Sequence, residues 1–113
     1  MNYTPIDRLA REDAQRALAS GDPEVISKAL VQLAFHDPDR GFVESVLASQ
    51  LQSPDPWIRG VAATCVGHVA RIHRALDTER LLPLLLNLRS DVRTVGNMQD
   101  ALDDIRIFTA ANP

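Results

Sequence analysis

The sequence predicts an all-α domain built from helical hairpins that stack side by side, and three observations carry this prediction. Apolar residues recur at helical spacing along the chain, and no stretch alternates apolar and polar residues for long enough to indicate a strand. Only five of the 113 residues are aromatic, so the core is expected to consist mainly of Leu, Val, Ile and Ala. Two Asp-Pro steps, Asp22-Pro23 and Asp55-Pro56, lie 33 residues apart and begin similar apolar segments. A repeat of this length is typical of stacked helix-turn-helix units.

The first three predicted helices each begin at a residue that caps helix N-termini. Thr4-Pro5 begins the first, because Thr is a good N-cap and Pro fits the first helical position, and Ser20-Gly21 ends it. Asp22-Pro23 begins the second helix and Asp37-Pro38 the third by the same chemistry.

The last three predicted helices follow a strong break at Ser53-Pro54-Asp55-Pro56, where two prolines disfavour helix in the residues before them. The fourth helix is the longest and runs from Pro56 to about His73. Asp77-Thr78 caps the fifth, in which Pro83 is expected to cause some distortion. Ser90-Asp91 begins the sixth, with Val92 as the first residue of its apolar stripe.

The apolar positions of the second helix recur in the fourth after a shift of 33 residues, and a third, degenerate copy follows. The stretch Asp55-Pro56-Trp57-Ile58-Arg59 resembles the opening of the first helix of a HEAT-like repeat, and Leu81-Leu82-Pro83-Leu84-Leu85 resembles its second helix. The resemblance covers residues 22–106. It departs from the family at Ile26 and Arg89, where the family has Arg and Asp.

The resemblance to HEAT-like repeats implies a short α-solenoid of about three helical hairpins, or six helices, in a single domain over residues 1–113. In that family the second helices of each pair line a concave face. Here that face would comprise residues 38–52 and 78–88, flanked by residues 5–19. Its polar members would be Arg40, Glu44, Gln52, Arg80 and Asn87.

Composition argues against several classes of activity. The net charge of -3 disfavours a general nucleic-acid binder, since such proteins carry basic surfaces. Cys65 is the single cysteine, so the chain has neither a disulfide nor a thiol pair for a metal. His68 and His73 are five residues apart, which is not the spacing of a helical metal pair. We therefore expect no enzyme activity, no cofactor and no metal.

Four residues outside the concave face are candidates for partner binding. Trp57 lies in the first turn of the longest helix, where it either packs between hairpins or anchors an interface. Asp100, Asp103 and Asp104 form the densest acidic group, and Asp100 and Asp104 share one helix face. This group is either ordinary solvated surface or a patch that attracts a basic partner.

These features favour a non-enzymatic protein-binding module. In size, helical-repeat form and acidic balance, the chain resembles the small immunity proteins that bind and neutralise a cognate bacterial toxin domain. The alternative is a scaffold or regulatory subunit of a larger helical-repeat assembly. HEAT-like DNA glycosylases and pigment-attaching lyases form a third class, which is disfavoured because the glycosylases need a strongly basic groove. No secretory or membrane-spanning segment is apparent, so we expect a cytoplasmic protein that is monomeric when free and has no membrane partner.

Overall fold

The computed structural model describes residues 8–109, and within them the chain forms six α-helices and no strand. The helices are α1 (Arg11–Leu18), α2 (Pro23–His36), α3 (Arg40–Gln50), α4 (Pro56–His73), α5 (Thr78–Leu86) and α6 (Val95–Phe108). The all-α class and the number of helices that the sequence predicts are therefore confirmed.

Helix α4 occupies the centre of the fold. It packs against α2 on one side and α6 on the other, and it also contacts α3, which in turn contacts α5. Helix α1 packs against α2. Half of the residues of α4 are buried, and the largest fully buried side chains of the core are Leu and Val with one Cys and one Thr. The core thus has the aliphatic composition that the sequence predicts.

Residues 33 positions apart lie side by side in the fold. The rings of Phe35 and His68 are 4.6 Å apart and join α2 to α4. The side-chain amide of Asn97 donates to the Thr64 hydroxyl at 3.0 Å and joins α4 to α6. The backbone N–H of Asp77, just before α5, donates to Glu44 of α3 at 2.7 Å. The period read from the sequence is therefore also the spacing of contacts between neighbouring helices.

Three of the predicted N-caps are confirmed. The Asp22 carboxylate accepts from the N–H of Glu24 at 3.0 Å, and that of Asp55 accepts from the N–H of Trp57 at 2.8 Å. Asp77 accepts from the N–H of Arg80 at a longer 3.3 Å. Pro23 and Pro56 lie in the first turns of α2 and α4, where the missing N–H needs no partner.

The predicted start of α3 is wrong by two residues. Asp39 is the N-cap, since its carboxylate accepts from the N–H of Phe42 at 3.1 Å. Asp37 instead accepts from the N–H of Asp39 at 2.8 Å and is buried. Asp37 therefore stabilises the turn before the helix, and Asp39 caps the helix itself.

The start of α1 also differs from the prediction. Residues 8–10 are not helical, and α1 begins at Arg11 after Ala10, which provides no side-chain cap. The predicted cap Thr4-Pro5 lies outside the described residues.

The start of α6 is four residues later than predicted. Asp91 accepts from the N–H of Arg93 at 2.9 Å, which holds residues 91–94 in a turn before the helix. The residue that enters the core here is Thr94, whose hydroxyl donates to the carbonyl of Leu88 at 3.2 Å. Val92, predicted to face inward, is 89% exposed because the turn directs it outward.

Candidate protein-binding surface

One side of α4 is only partly covered by its neighbours. Trp57, Val61, Thr64 and His68 follow one another at intervals of four, three and four residues, so they form a single stripe along the helix. Trp57 is 63% exposed, and the other three are half-buried. We call this stripe the α2–α4–α6 face, together with the residues of α2 and α6 that flank it, which are Val31, Phe35, Asn97 and Asp104.

A groove of about 280 Å³ lies on this face beside Trp57. Its lining comes from α2, α4, α6 and the turn before α6: Val31, Pro56, Trp57, Gly60, Val61, Thr64, Cys65, Arg93 and Asn97. A Cβ atom at Gly60 would lie 3.1 Å from the side-chain oxygen of Asn97, so the glycine leaves room for this amide. The groove is therefore mostly apolar, with one fixed amide–hydroxyl pair, Asn97 and Thr64, in its wall.

Cys65 contributes to the groove but is chemically inert. Its side chain is fully buried, and burial raises the pKa of the thiol to about 12. Since the thiolate is the reactive form, this residue behaves as a small apolar group.

His68 occupies the middle of the same face. Burial lowers the pKa of its ring, the neighbouring Arg71 lowers it further, and the Asp104 charge opposes both. The guanidinium of Arg71 lies 3.0 Å from Nδ1, which therefore accepts a hydrogen bond in a neutral ring. The ring of Phe35 packs against it from α2. Phe35 and the neutral His68 ring therefore form an apolar patch next to the groove, with the charges of Arg71 and Asp104 beside it.

The three acidic residues predicted on α6 differ in their surroundings. Asp103 is exposed and lies 3.5 Å from Arg106. Asp100 is exposed and makes no hydrogen bond or ion pair with the other described residues. Asp104 is half-buried beside Gly67, at the edge of the α2–α4–α6 face. Trp57 and Asp104 therefore share one face, with Asp100 one turn earlier on α6.

The remaining predicted site residues, Arg40, Glu44 and Arg80, lie on α3 and α5, away from Trp57. Glu44 is only 4% exposed and accepts from Asp77, while the Nε atom of Arg40 lies 3.4 Å from the same oxygen. Arg80 donates to the hydroxyl of Ser45 at 3.1 Å. These side chains join α3 to α5, and Glu44 is not available as a surface carboxylate.

A second groove, of about 680 Å³, lies between the ends of α3 and α5 and the turn before α6. Its wall includes an ion-pair network in which Asp91 accepts from Arg59 at 2.9 Å and from Arg93 at 3.0 Å. Hydrogen bonds from Arg93 and then Arg59 lower the pKa of Asp91 to about 2. The residues predicted for partner binding do not include Val92, Arg93 or Asn97, because each owes its position to the late start of α6.

Residues 8–109 contain no group of three or more His, Cys, Asp or Glu side chains that could hold a metal ion. Of the helices in this part of the chain, none has the length and hydropathy needed to cross a membrane.

A solved structure resembles this chain over almost its whole length. It is the crystal structure of a CDI complex from Cupriavidus taiwanensis LMG 19424. One of its chains aligns with a TM-score of 0.84 and 33% sequence identity, over 99% of this chain and 99% of that chain. No protein-family profile and no curated protein sequence matches.

Proposed function

We propose that this chain, which belongs to the same protein family as the aligned chain of the CDI complex, is an immunity protein that binds and neutralises a cognate bacterial toxin domain. CDI denotes contact-dependent inhibition. The observation that carries the proposal is the full-length similarity to a chain crystallised in such a complex. Because the alignment covers 99% of each chain, the similarity extends over the whole fold and is not limited to one shared segment.

The proposal includes a HEAT-like arrangement of the helices as a short α-solenoid. The contacts between residues 33 apart support it, because successive repeats in a solenoid place equivalent residues side by side. The central position of α4 between α2 and α6 also supports it. Such a fold offers extended helical surfaces for a protein partner.

Neutralisation by such a protein requires binding alone. The immunity protein forms a stoichiometric complex in the cytoplasm and covers the toxin surface that acts on the target. The net charge of -3 suits a basic toxin domain, because opposite charges accelerate association and favour the correct orientation. The protein needs no cofactor or catalytic residue for this role.

The test is to express the toxin domain encoded beside this gene, with and without this chain. We expect the chain to restore growth and to form a one-to-one complex with the toxin domain, measured by isothermal titration calorimetry. Absence of both protection and binding would contradict the proposed function.

The alternative is a subunit of a larger helical-repeat assembly, and one observation favours it. Ile107, on the last described helix, is 57% exposed, as expected of a helix that contacts a further repeat. Light scattering of the free chain distinguishes the two, because a clean monomer that binds the toxin domain supports the immunity function.

A further inference from the structure

We propose that the toxin domain docks on the α2–α4–α6 face, with an apolar side chain in the groove beside Trp57 and basic side chains near Asp100 and Asp104. This inference rests on the proposed function and adds the position and chemistry of the interface.

The first argument is the exposure of Trp57. A tryptophan that is 63% exposed presents a large apolar area to water in the free protein. Tryptophan is among the residues most enriched at the energetic centres of protein interfaces, where a pocket beside the ring receives a partner side chain. Here the groove beside Trp57 provides that pocket.

The second argument is the size and lining of the groove. At about 280 Å³ it is at the lower limit of small-molecule sites, which span roughly 300–1,000 Å³, and it is open at the surface of three helices. Val31 and Val61 provide apolar walls, and the Asn97–Thr64 pair provides a polar edge. One or two side chains of a protein fit these dimensions better than a cofactor does.

The third argument is charge. Asp100 and Asp104 lie one helical turn apart, a spacing at which like charges repel. Among the described residues, Arg106 pairs with Asp103, and neither Asp100 nor Asp104 has an ion-pair partner. A basic partner would relieve this repulsion, so the edge of the face is complementary to a cationic surface.

The other surfaces fit a basic partner less well. On α3 and α5, Arg40 is paired with Glu44, and Arg80 with Ser45. In the second groove the single carboxylate, Asp91, is already paired with Arg59 and Arg93, so it offers little free negative charge to a basic partner.

The test measures binding of the toxin domain to four single variants. We expect Trp57→Ala to weaken the complex about 30-fold or more, the size of effect that defines an interface hot spot. Asp100→Lys should weaken it about tenfold at low salt, mainly through slower association.

The matched controls are Arg80→Ala on α5 and Val92→Ser at the second groove, and both should bind within about twofold of the wild type. Circular dichroism melting curves establish that each variant is folded.

A second measurement uses the fact that Trp57 is the single tryptophan. 5-Fluorotryptophan is incorporated into this chain alone. The 19F resonance of Trp57 should shift when unlabelled toxin domain is added, and its chemical-shift difference between H2O and D2O should disappear.

The outcomes separate this inference from the proposed function. Tight wild-type binding together with unchanged affinity of Trp57→Ala and an unchanged 19F signal would overturn the docking face and leave the immunity function standing. Loss of affinity in Val92→Ser instead would place the interface at the second groove and also overturn it. Failure of the wild-type chain to bind the toxin domain would contradict the proposed function itself.

Discussion

At the scale of single residues, Glu44 shows how a buried charge stabilises the fold. Its carboxylate caps the backbone N–H of Asp77 at 2.7 Å and lies 3.4 Å from Arg40, so it connects α3 to the start of α5. We expect Glu44→Ala to lower the free energy of unfolding by roughly 2 kcal/mol, because it removes a hydrogen bond to a charged group, and such bonds contribute about 1.5–3 kcal/mol.

The matched variant for this prediction is Glu44→Gln, which retains a neutral acceptor of similar size. It should cost roughly half as much, since hydrogen bonds to charged groups are about twice as strong as neutral ones. Urea denaturation measures both. Equal stability of the wild type and Glu44→Ala would show that the bond to Asp77 contributes nothing.

Asp91 predicts a specific response to acid. Its folded-state pKa of about 2 is below the unfolded value of roughly 3.9, because Arg93 and Arg59 hydrogen-bond to the charged form. The carboxylate therefore stabilises the fold above about pH 4, and this contribution is lost as the pH falls toward about 2.

Asp91→Asn removes this contribution, so the variant should be less stable than the wild type at pH 6. The difference in unfolding free energy should shrink as urea denaturation is repeated at successively lower pH. A difference that stays constant down to about pH 2 would contradict the low pKa of Asp91.

Residue-level predictions from sequence succeed where the cause is local. Asp22 and Asp55 cap helices because each carboxylate accepts from a backbone N–H two residues later and the proline between them fits the first turn, and both are confirmed. The choice between Asp37 and Asp39 depends on tertiary contacts, since Arg11 binds Asp39 at 3.0 Å from a different helix. The burial of Glu44 likewise depends on a partner 33 residues away.

At the scale of helices, small residues determine how closely α6 approaches α4. A Cβ atom at Gly67 would lie 2.6 Å from a carboxylate oxygen of Asp104 and 3.3 Å from the Cα atom of Ala101. The carboxylate can rotate away, but the backbone of Ala101 must move.

We therefore expect Gly67→Ala to destabilise the protein by about 1–2 kcal/mol, since the strain exceeds the gain of about 1 kcal/mol in helix propensity. Gly96→Ala is the matched control, because a Cβ there meets no atom within 4 Å. It should stabilise the protein by about 0.5 kcal/mol or have no effect. Thermal or urea denaturation compares them, and a Gly67→Ala variant more stable than Gly96→Ala would disprove the close packing.

The start of α6 shows the limit of reading helices one at a time. Ser90-Asp91 has the composition of a helix start, but the Asp91 side chain is engaged by Arg59 from α4 as well as by Arg93. Those contacts hold residues 91–94 as a turn and place Thr94 in the core. The result is the exposed Val92 and the position of Arg93 between the two grooves, which local pattern alone does not predict.

At the scale of the whole molecule, the period of 33 residues predicts which helices become neighbours but not which surface remains open. Residues 33 apart meet between α2 and α4 and between α4 and α6. The sequence-based expectation placed most polar binding residues on α3 and α5, whereas the exposed Trp57 and the groove beside it lie on the α2–α4–α6 face. Exposure depends on how all six helices pack, so it follows only from the fold.

The size of the molecule leads to a prediction about its free state. The radius of gyration of 13.7 Å is close to the roughly 13 Å expected of a compact single domain of 113 residues. Self-association through the exposed Trp57 would bring the acidic edges of two copies together, where Asp104 and Asp100, which has no ion pair within residues 8–109, would repel their counterparts. We therefore expect the free chain to be monomeric, with a radius of gyration of about 14–15 Å by small-angle X-ray scattering. A value of about 17 Å or more, as expected of 226 residues in one compact body, would reveal a dimer. If Trp57→Ala restored the smaller value, the α2–α4–α6 face would be a contact between copies of this chain.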